Sequence, residues 1–247
     1  MDHYAVLGDP ISHSRSPEIY TELFKRYGVD AEFGLLRMGL AEVSQLKSKV
    51  RGLSGFAVTM PLKRAVIPYL DALDESAFAC GAVNIVKADE GRLIGFNTDG
   101  DGLCDALLSA GVGLRGARAA ILGRGGAALS AACVLEKNGA SVRLIVRSLG
   151  EAVRFPERLV YDPGERADIF INASPLGMDG HEEFAYLDLL DALSPSVIFD
   201  MVYVRGRETA LASEAKARGA VLITGESMLE KQALRAFRIW TGIDPKA

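Results

Sequence analysis

The sequence predicts an α/β fold built as two α/β lobes, and three observations carry that expectation. Short apolar runs rich in β-formers alternate with longer amphipathic stretches along the 247 residues. Such alternation implies parallel strands joined by helical crossovers. Glycine is abundant at 26 residues while aromatics make up only 7%, which suits ligand loops on an α/β frame better than a β-sandwich. The length, set against roughly 150 residues per domain, leaves room for two domains.

The elements follow in order. Tyr4–Gly8 is a short buried strand and Pro17–Tyr27 a helix. Glu32–Arg37 reads as a strand, Ala41–Val50 as a helix, Gly55–Thr59 as a strand and Leu62–Leu73 as a helix. Asn84–Lys87 and Leu93–Phe96, split by Asp89-Glu90-Gly91, form a hairpin, and Asp101–Ala110 is helical. A second series opens with the apolar strand Arg118–Leu122, a glycine-rich turn and an alanine-rich helix to about Asn138. Strands Ser141–Val146, Ile169–Asn172, Val197–Met201 and Val221–Thr224 follow, with helices Thr209–Arg218 and Ser227–Trp240. The lobes are expected at residues 1–98 and 99–225, with the terminal helix, 226–247, folding back on the first across the short Gly225 link.

Composition excludes several classes. A net charge of −4 speaks against a nucleic-acid binder. No apolar run approaches the ~20 residues that span a bilayer. Cys80, Cys104 and Cys133 form no CxxC pair and fit free thiols in a reducing cytosol. The opening residues carry no basic, apolar leader pattern, so a cytoplasmic protein is expected. His3, His13 and His181 have no ligand spacing, and no metal site is expected.

The first chemical signal is Gly123-Arg124-Gly125-Gly126-Ala127-Ala128 between a predicted strand and a predicted helix. There Gly123 permits a tight turn, Gly125 lets backbone approach a pyrophosphate, and the helix start offers free N–H groups to phosphates. An acidic residue at the end of the next strand would bind a ribose 2′-hydroxyl. Arg147-Ser148 stands there instead, and a guanidinium pairs with a 2′-phosphate, which favours NADP. A solvated strand-end arginine is the plain alternative.

Four polar pieces in the first lobe fall where connecting loops belong. They are Ser12-His13-Ser14-Arg15-Ser16-Pro17, Thr59-Met60-Pro61-Leu62-Lys63, Gly81-Ala82-Val83-Asn84 and Gly95-Phe96-Asn97-Thr98-Asp99. Ligands of open α/β sheets bind beyond the carboxyl ends of strands. The pieces supply hydroxyls, an amide, one ammonium and one carboxylate, an inventory for a small polyhydroxylated anion. Each piece also has a structural reading. Ser16 before Pro17 suits a helix N-cap, Thr59 a cap for a helix near Pro61, Asp99 a further N-cap, and Asn84 a turn.

In this order the strings resemble the shikimate dehydrogenase family, from first strand to last helix. Gly8-Asp9-Pro10-Ile11 with the serine run is similar to that family's carboxylate-binding loop, and Val58-Thr59, Pro61 and Lys63 to its lysine segment. Gly81–Asn84, Asn97-Thr98-Asp99, the glycine loop, Asp200-Met201-Val202-Tyr203 and Gly225-x-x-Met228-Leu229-x-x-Gln232 match its later motifs. Ala57, Ile85, Val146 and Ser148 depart from its usual residues, and Glu151 stands where a second basic residue is usual.

The resemblance implies an N-terminal substrate-binding domain, a Rossmann-type NADP-binding domain and a cleft between them. It implies reversible reduction of 3-dehydroshikimate to shikimate with NADPH. Lys63 and Asp99 would be the catalytic pair. Ser14, Ser16, Thr59, Asn84 and Gln232 would bind substrate. Gly123, Arg124, Gly125, Gly126, Ala127, Arg147, Ser148, Met201, Tyr203 and Gly225 would bind NADP. The expected partner is a small molecule, with neither nucleic acid nor membrane, in a monomer or homodimer. Quinate or an aminoshikimate-type substrate is the alternative within the family. A non-catalytic dinucleotide-binding regulator is the alternative outside it, and retention of Lys63 and Asp99 argues against that.

Overall fold

The computed structural model describes residues 1–12, 14–146, 159–160, 165–181, 187–204 and 206–245. By packing the chain divides into two units, Met1–Thr98 with the residues from Gln232 on, and Asp99–Lys231.

In the first unit β1 (Asp2–Gly8) leads to α1 (Ser16–Arg26) and β2 (Ala31–Arg37). A 3₁₀ segment, Leu40–Gln45, and the single turn α2 (Leu46–Lys49) precede β3 (Gly55–Val58). Then come β4 (Ala72–Leu73), α3 (Glu75–Cys80), β5 (Ile85–Asp89) and β6 (Arg92–Phe96). The sheet order is β2-β1-β3-β5-β6-β4. The first three strands pair in parallel and β3-β5-β6 antiparallel. The β5–β6 turn holds Glu90 at φ 47° and Gly91 at φ 78°, the left-handed pair a two-residue hairpin needs.

Side chains alternate across this sheet with period two. Leu7, Phe56, Val58 and Val86 face one layer with Met38, Leu46 and Leu62. Tyr4, Val6, Ala57 and Ile85 face the other, under α1 and the end of the last helix, through Tyr20, Phe24, Phe237 and Trp240. The Trp240 indole N–H donates to Val86 O at 2.9 Å.

The second unit runs α4 (Asp99–Ser109), β7 (Arg118–Leu122), α5 (Gly126–Lys137), β8 (Ser141–Ile145), β9 (Leu159–Val160) and β10 (Ile169–Asn172). It continues through α6 (Leu187–Leu193), β11 (Val197–Asp200), α7 (Ala210–Ala217), β12 (Val221–Thr224) and α8 (Gly225–Thr241). All its strands pair in parallel, in the order β12-β11-β10-β7-β8-β9. Read from β9, this is the dinucleotide-fold order 3-2-1-4-5-6. The packing division runs through α8: Met228 is buried in the second unit's core, while Ala233, Phe237 and Trp240 lie in the first unit's.

Three local expectations are corrected. Leu62–Leu73 is not a helix; turns and a short 3₁₀ segment, Ile67–Tyr69, lead into β4. Pro68 has no N–H to give and pushes Ile67 away from α geometry. Ala41–Val50 is mostly 3₁₀ with one α turn. Ser16 is not a cap: Arg15 holds that position and Ser16 lies buried inside α1. Two helices were unforeseen. The first, α3, has Asp74 as N-cap, accepting from Ser76 N, and Gly81 as a left-handed C-cap at φ 66°. The second is α6.

Candidate active site

In the first unit the sheet order reverses at β1, which lies between β2 and β3, so the crevice beyond the ends of β1 and β3 is the expected ligand position. The two strand ends are tied there. Thr59 N donates to Leu7 O at 2.8 Å and Asp9 N to Met60 O at 3.0 Å. A side chain at Gly8 would collide with Thr59 and the Met60 carbonyl, so glycine allows this approach. The Asp9–Pro10 and Met60–Pro61 peptides are both cis. Ser14 and Ser16 stand together, Oγ to Oγ, at 3.2 Å.

After β3 the chain turns at once, with Leu62 N bonding Thr59 O at 2.8 Å, so Thr59 closes a turn and caps no helix. Lys63 is half-buried one residue on, and its carbonyl accepts from Val83 N at 2.8 Å. That bond fixes the Lys63 backbone one residue from Asn84. Asn84 is held in turn, its carbonyl accepting from Val58 N at 2.7 Å and its N–H donating to Phe96 O at 3.1 Å.

Three buried polar side chains meet at Asn84. Thr98 N donates to Asn84 Oδ1 at 2.8 Å. Asn84 Nδ2 donates to Thr98 Oγ1 at 3.0 Å and to Gln232 Oε1 at 3.3 Å. The Thr98 hydroxyl donates to the same Gln232 Oε1 at 3.2 Å. All three are at most 8% exposed, so these bonds replace water rather than compete with it. Asn97 Nδ2 anchors the strand by donating to Ala82 O at 2.9 Å.

In the second unit the order reverses between β7 and β10. Gly123, at the end of β7, has φ +127°, and a Cβ there would lie 2.9 Å from Ala173 O beyond β10. Only glycine fits. Gly125 is the N-cap of α5 with no side-chain cap, and a Cβ there would meet nothing within 4 Å. An uncapped helix start over open space is the cradle a pyrophosphate needs, so these residues fit a dinucleotide. Gly225 packs so closely on the Met201 backbone that no side chain is tolerated there.

Beneath this edge Asp200 is buried and accepts from Thr209 Oγ1 at 2.6 Å, Asn172 Nδ2 at 3.0 Å and Val202 N at 3.1 Å. Burial pushes its carboxyl above the ordinary range, against the downward pull of those donors. Thr209 also caps α7 through Ala212 N, so one carboxylate joins β10, β11 and α7 behind Met201 and Tyr203.

The structure therefore gathers Asn84 and Gln232 in one network. It joins the segments that carry Ser14, Ser16, Thr59 and Lys63 at the ends of β1 and β3. Asp99 is the buried first residue of α4. Gly123–Ala127 form the turn into α5, and Met201, Tyr203 and Gly225 lie just beyond β11 and β12. Arg147 and Ser148 lie outside the described residues, as does His13. Thr98 was missed as a side chain, although its place between a strand end and Asp99 was a usable signal.

A family model for the shikimate dehydrogenase substrate binding domain matches residues 6–86. A shikimate dehydrogenase (NADP(+)) of Rubrobacter xylanophilus is 38% identical, over 97% of this chain and 90% of that protein. One from Chlorobaculum tepidum is 35% identical with the same coverage. Among solved structures, shikimate 5-dehydrogenase from Thermus thermophilus in complex with NADP(H) and shikimate superposes with a TM-score of 0.87 at 35% identity, covering 100% of this chain and 95% of that one. Shikimate dehydrogenase 1 from Peptoclostridium difficile gives 0.88 at 27% identity, covering 100% and 94%.

Proposed function

The chain belongs to the shikimate dehydrogenase family, and on that premise we propose that it catalyses the reversible, NADP-dependent reduction of 3-dehydroshikimate to shikimate. The observation that carries this reading is the convergence, at the strand ends of one unit, of the serine loop, the Thr59–Lys63 turn and the Asn84–Thr98–Gln232 network. Hydroxyls, an ammonium and amides in that arrangement suit a ring carrying one carboxylate and several hydroxyls.

Bound NADPH supplies the hydride. Ser14 and Ser16 donate hydrogen bonds to the substrate carboxylate, remote from the reacting carbon. Thr59, Asn84 and Gln232 hold ring oxygens and so fix the ring's orientation. Lys63 keeps its proton on Nζ, gives it to the carbonyl oxygen as the carbon is reduced, and takes it back in oxidation. Asp99 is the second member of the proposed catalytic pair.

For the cofactor, Gly123, Arg124, Gly125, Gly126 and Ala127 take the pyrophosphate, and Arg147 with Ser148 the 2′-phosphate. Met201, Tyr203 and Gly225 would complete the NADP site. Residues 1–98 thus carry substrate recognition and residues 99–225 carry the dinucleotide, in a cytoplasmic enzyme. No helix among the described residues is long and apolar enough to cross a membrane.

Steady-state assays crossing shikimate, quinate and aminoshikimate with NADP and NAD test the reading. Shikimate with NADP is expected to give the highest kcat/KM. Faster turnover of quinate, or none with any of the three, refutes it.

A further inference from the structure

Carboxamides are ambiguous recognition groups, because each presents a donor at one end and an acceptor at the other. In the first unit that ambiguity is resolved by a chain of hydrogen bonds that begins at the main chain. The Thr98 backbone N–H can only donate, so the Asn84 end facing it, at 2.8 Å, is the carbonyl oxygen. The other end of the Asn84 amide is then the NH₂ group, which can only donate. The Gln232 atom facing it at 3.3 Å is therefore Oε1. The Thr98 hydroxyl adds a second donor to Oε1 at 3.2 Å while accepting from Asn84 Nδ2 at 3.0 Å. With Oε1 held by two donors, the Nε2 end of Gln232 points away from both.

We propose that Thr98 is a positioning residue, its N–H setting the polarity of the Asn84 amide and its hydroxyl holding the Gln232 amide against flipping, so that Gln232 meets the substrate with an N–H donor and selects a hydrogen-bond acceptor there. This rests on Gln232 lying at the substrate, as the proposed function has it. A flipped Gln232 would face Asn84 Nδ2 donor to donor in a buried pocket, which carries the full cost of unsatisfied polar groups. An acceptor on the substrate, such as an unprotonated lone pair of a ring hydroxyl, is thereby read 134 residues along the chain from the backbone that fixes it. Thr98 acts through two other side chains and needs no contact with substrate.

The test uses the whole enzyme and three variants, Thr98→Val, Thr98→Ser and Gln232→Ala, with the double variant of the first and last. Side-chain amide signals of Asn84 and Gln232 in ¹⁵N-labelled protein are recorded first, without substrate. Thr98→Val is expected to move both, and Thr98→Ser to leave them close to wild type. In kinetics, Thr98→Val is expected to raise KM for shikimate about three- to tenfold, the loss of one hydrogen bond, with KM for NADP unchanged. Thr98→Ser restores the KM, and in the Gln232→Ala background the Thr98→Val effect shrinks to less than about twofold. Unmoved amide signals in Thr98→Val overturn the proposal whatever the enzyme turns over. Fully additive effects of Thr98→Val and Gln232→Ala on KM overturn it as well. A wild type inactive on shikimate fails the functional reading instead, and the amide signals still decide the orientation.

Discussion

Alanine at position 123 and alanine at position 125 are expected to fail in different ways, although both glycines belong to the same turn. At Gly123 the backbone has φ +127°, a conformation that costs a side chain-bearing residue about 1–3 kcal/mol. The new Cβ would also press on Ala173 O at 2.9 Å, and relieving such overpacking costs about 1–3 kcal/mol more. The sum, about 2–6 kcal/mol, lowers the melting temperature by roughly 4–24 °C for a protein of this size. At Gly125 the φ is an ordinary −76° and the added methyl meets nothing within 4 Å. Folding there loses at most about 1 kcal/mol, the difference between glycine and alanine at a helix N-cap. The methyl does occupy the space through which a pyrophosphate approaches the start of α5. Gly125→Ala is therefore expected to raise KM for NADP about ten- to a hundredfold while leaving KM for shikimate unchanged. Thermal unfolding of both variants, with cofactor titration followed by fluorescence, separates the two cases. If Gly125→Ala binds NADP as tightly as the wild type, the phosphates do not rest on this turn.

Lys63→Ala is expected to fold normally, because the bond to Val83 uses the Lys63 backbone, and to lose about 10²–10⁴ in kcat as a removed proton-transfer group. Near-wild-type turnover at saturating shikimate would exclude Lys63 as the proton donor. Arg147→Ala is expected to cost NADP about tenfold to a few hundredfold in kcat/KM, the worth of one charge-assisted pair, and to leave NAD nearly untouched; equal losses for both cofactors would mean the arginine does not read the 2′-phosphate. Because burial raises the Asp200 carboxyl above its unfolded value of 3.8, its contribution to stability is complete below that pH and is lost as pH rises through the folded pKa. Asp200→Asn removes that dependence, so the variant's melting temperature relative to wild type should climb as pH rises above about 4; a constant difference would show that the three donors hold Asp200 ionised throughout.

The parallel sheet of the second unit was the most legible part of the fold, for a physical reason. Strands buried on both faces are continuous apolar runs, and β7 and β10 coincide with Arg118–Leu122 and Ile169–Asn172 as read from the sequence. The segment after β3 was misread because Leu62, Val66 and Leu70 recur at helical spacing, yet that spacing serves a turn-and-3₁₀ path over the same core face. Apolar periodicity reports which side chains are buried, and Pro68 was the better witness to the backbone. The helix α3 was legible and overlooked, since Asp74 and Gly81 mark its two ends.

The site divides along a similar line. Lys63 and the paired serines were singled out only by the order of the motifs that carry them, since each piece alone also has a structural reading. Asn84 and Gln232 were named in the same way, but their pairing through Thr98 was not, because it lies in who faces whom. Asn84, Thr98 and Gln232 are far apart in sequence, and only the pairing of β5 with β3 and β6, together with the return of α8 to the first unit, brings them within hydrogen-bond reach. Taken alone, Thr98 is a small hydroxyl residue in front of an aspartate. Once the sheet has formed, its main-chain N–H is a donor fixed in space, and two flexible amides inherit their direction from it. Three side chains, each at most 8% exposed, thus take their hydrogen-bond polarity from backbone placed by strand pairing.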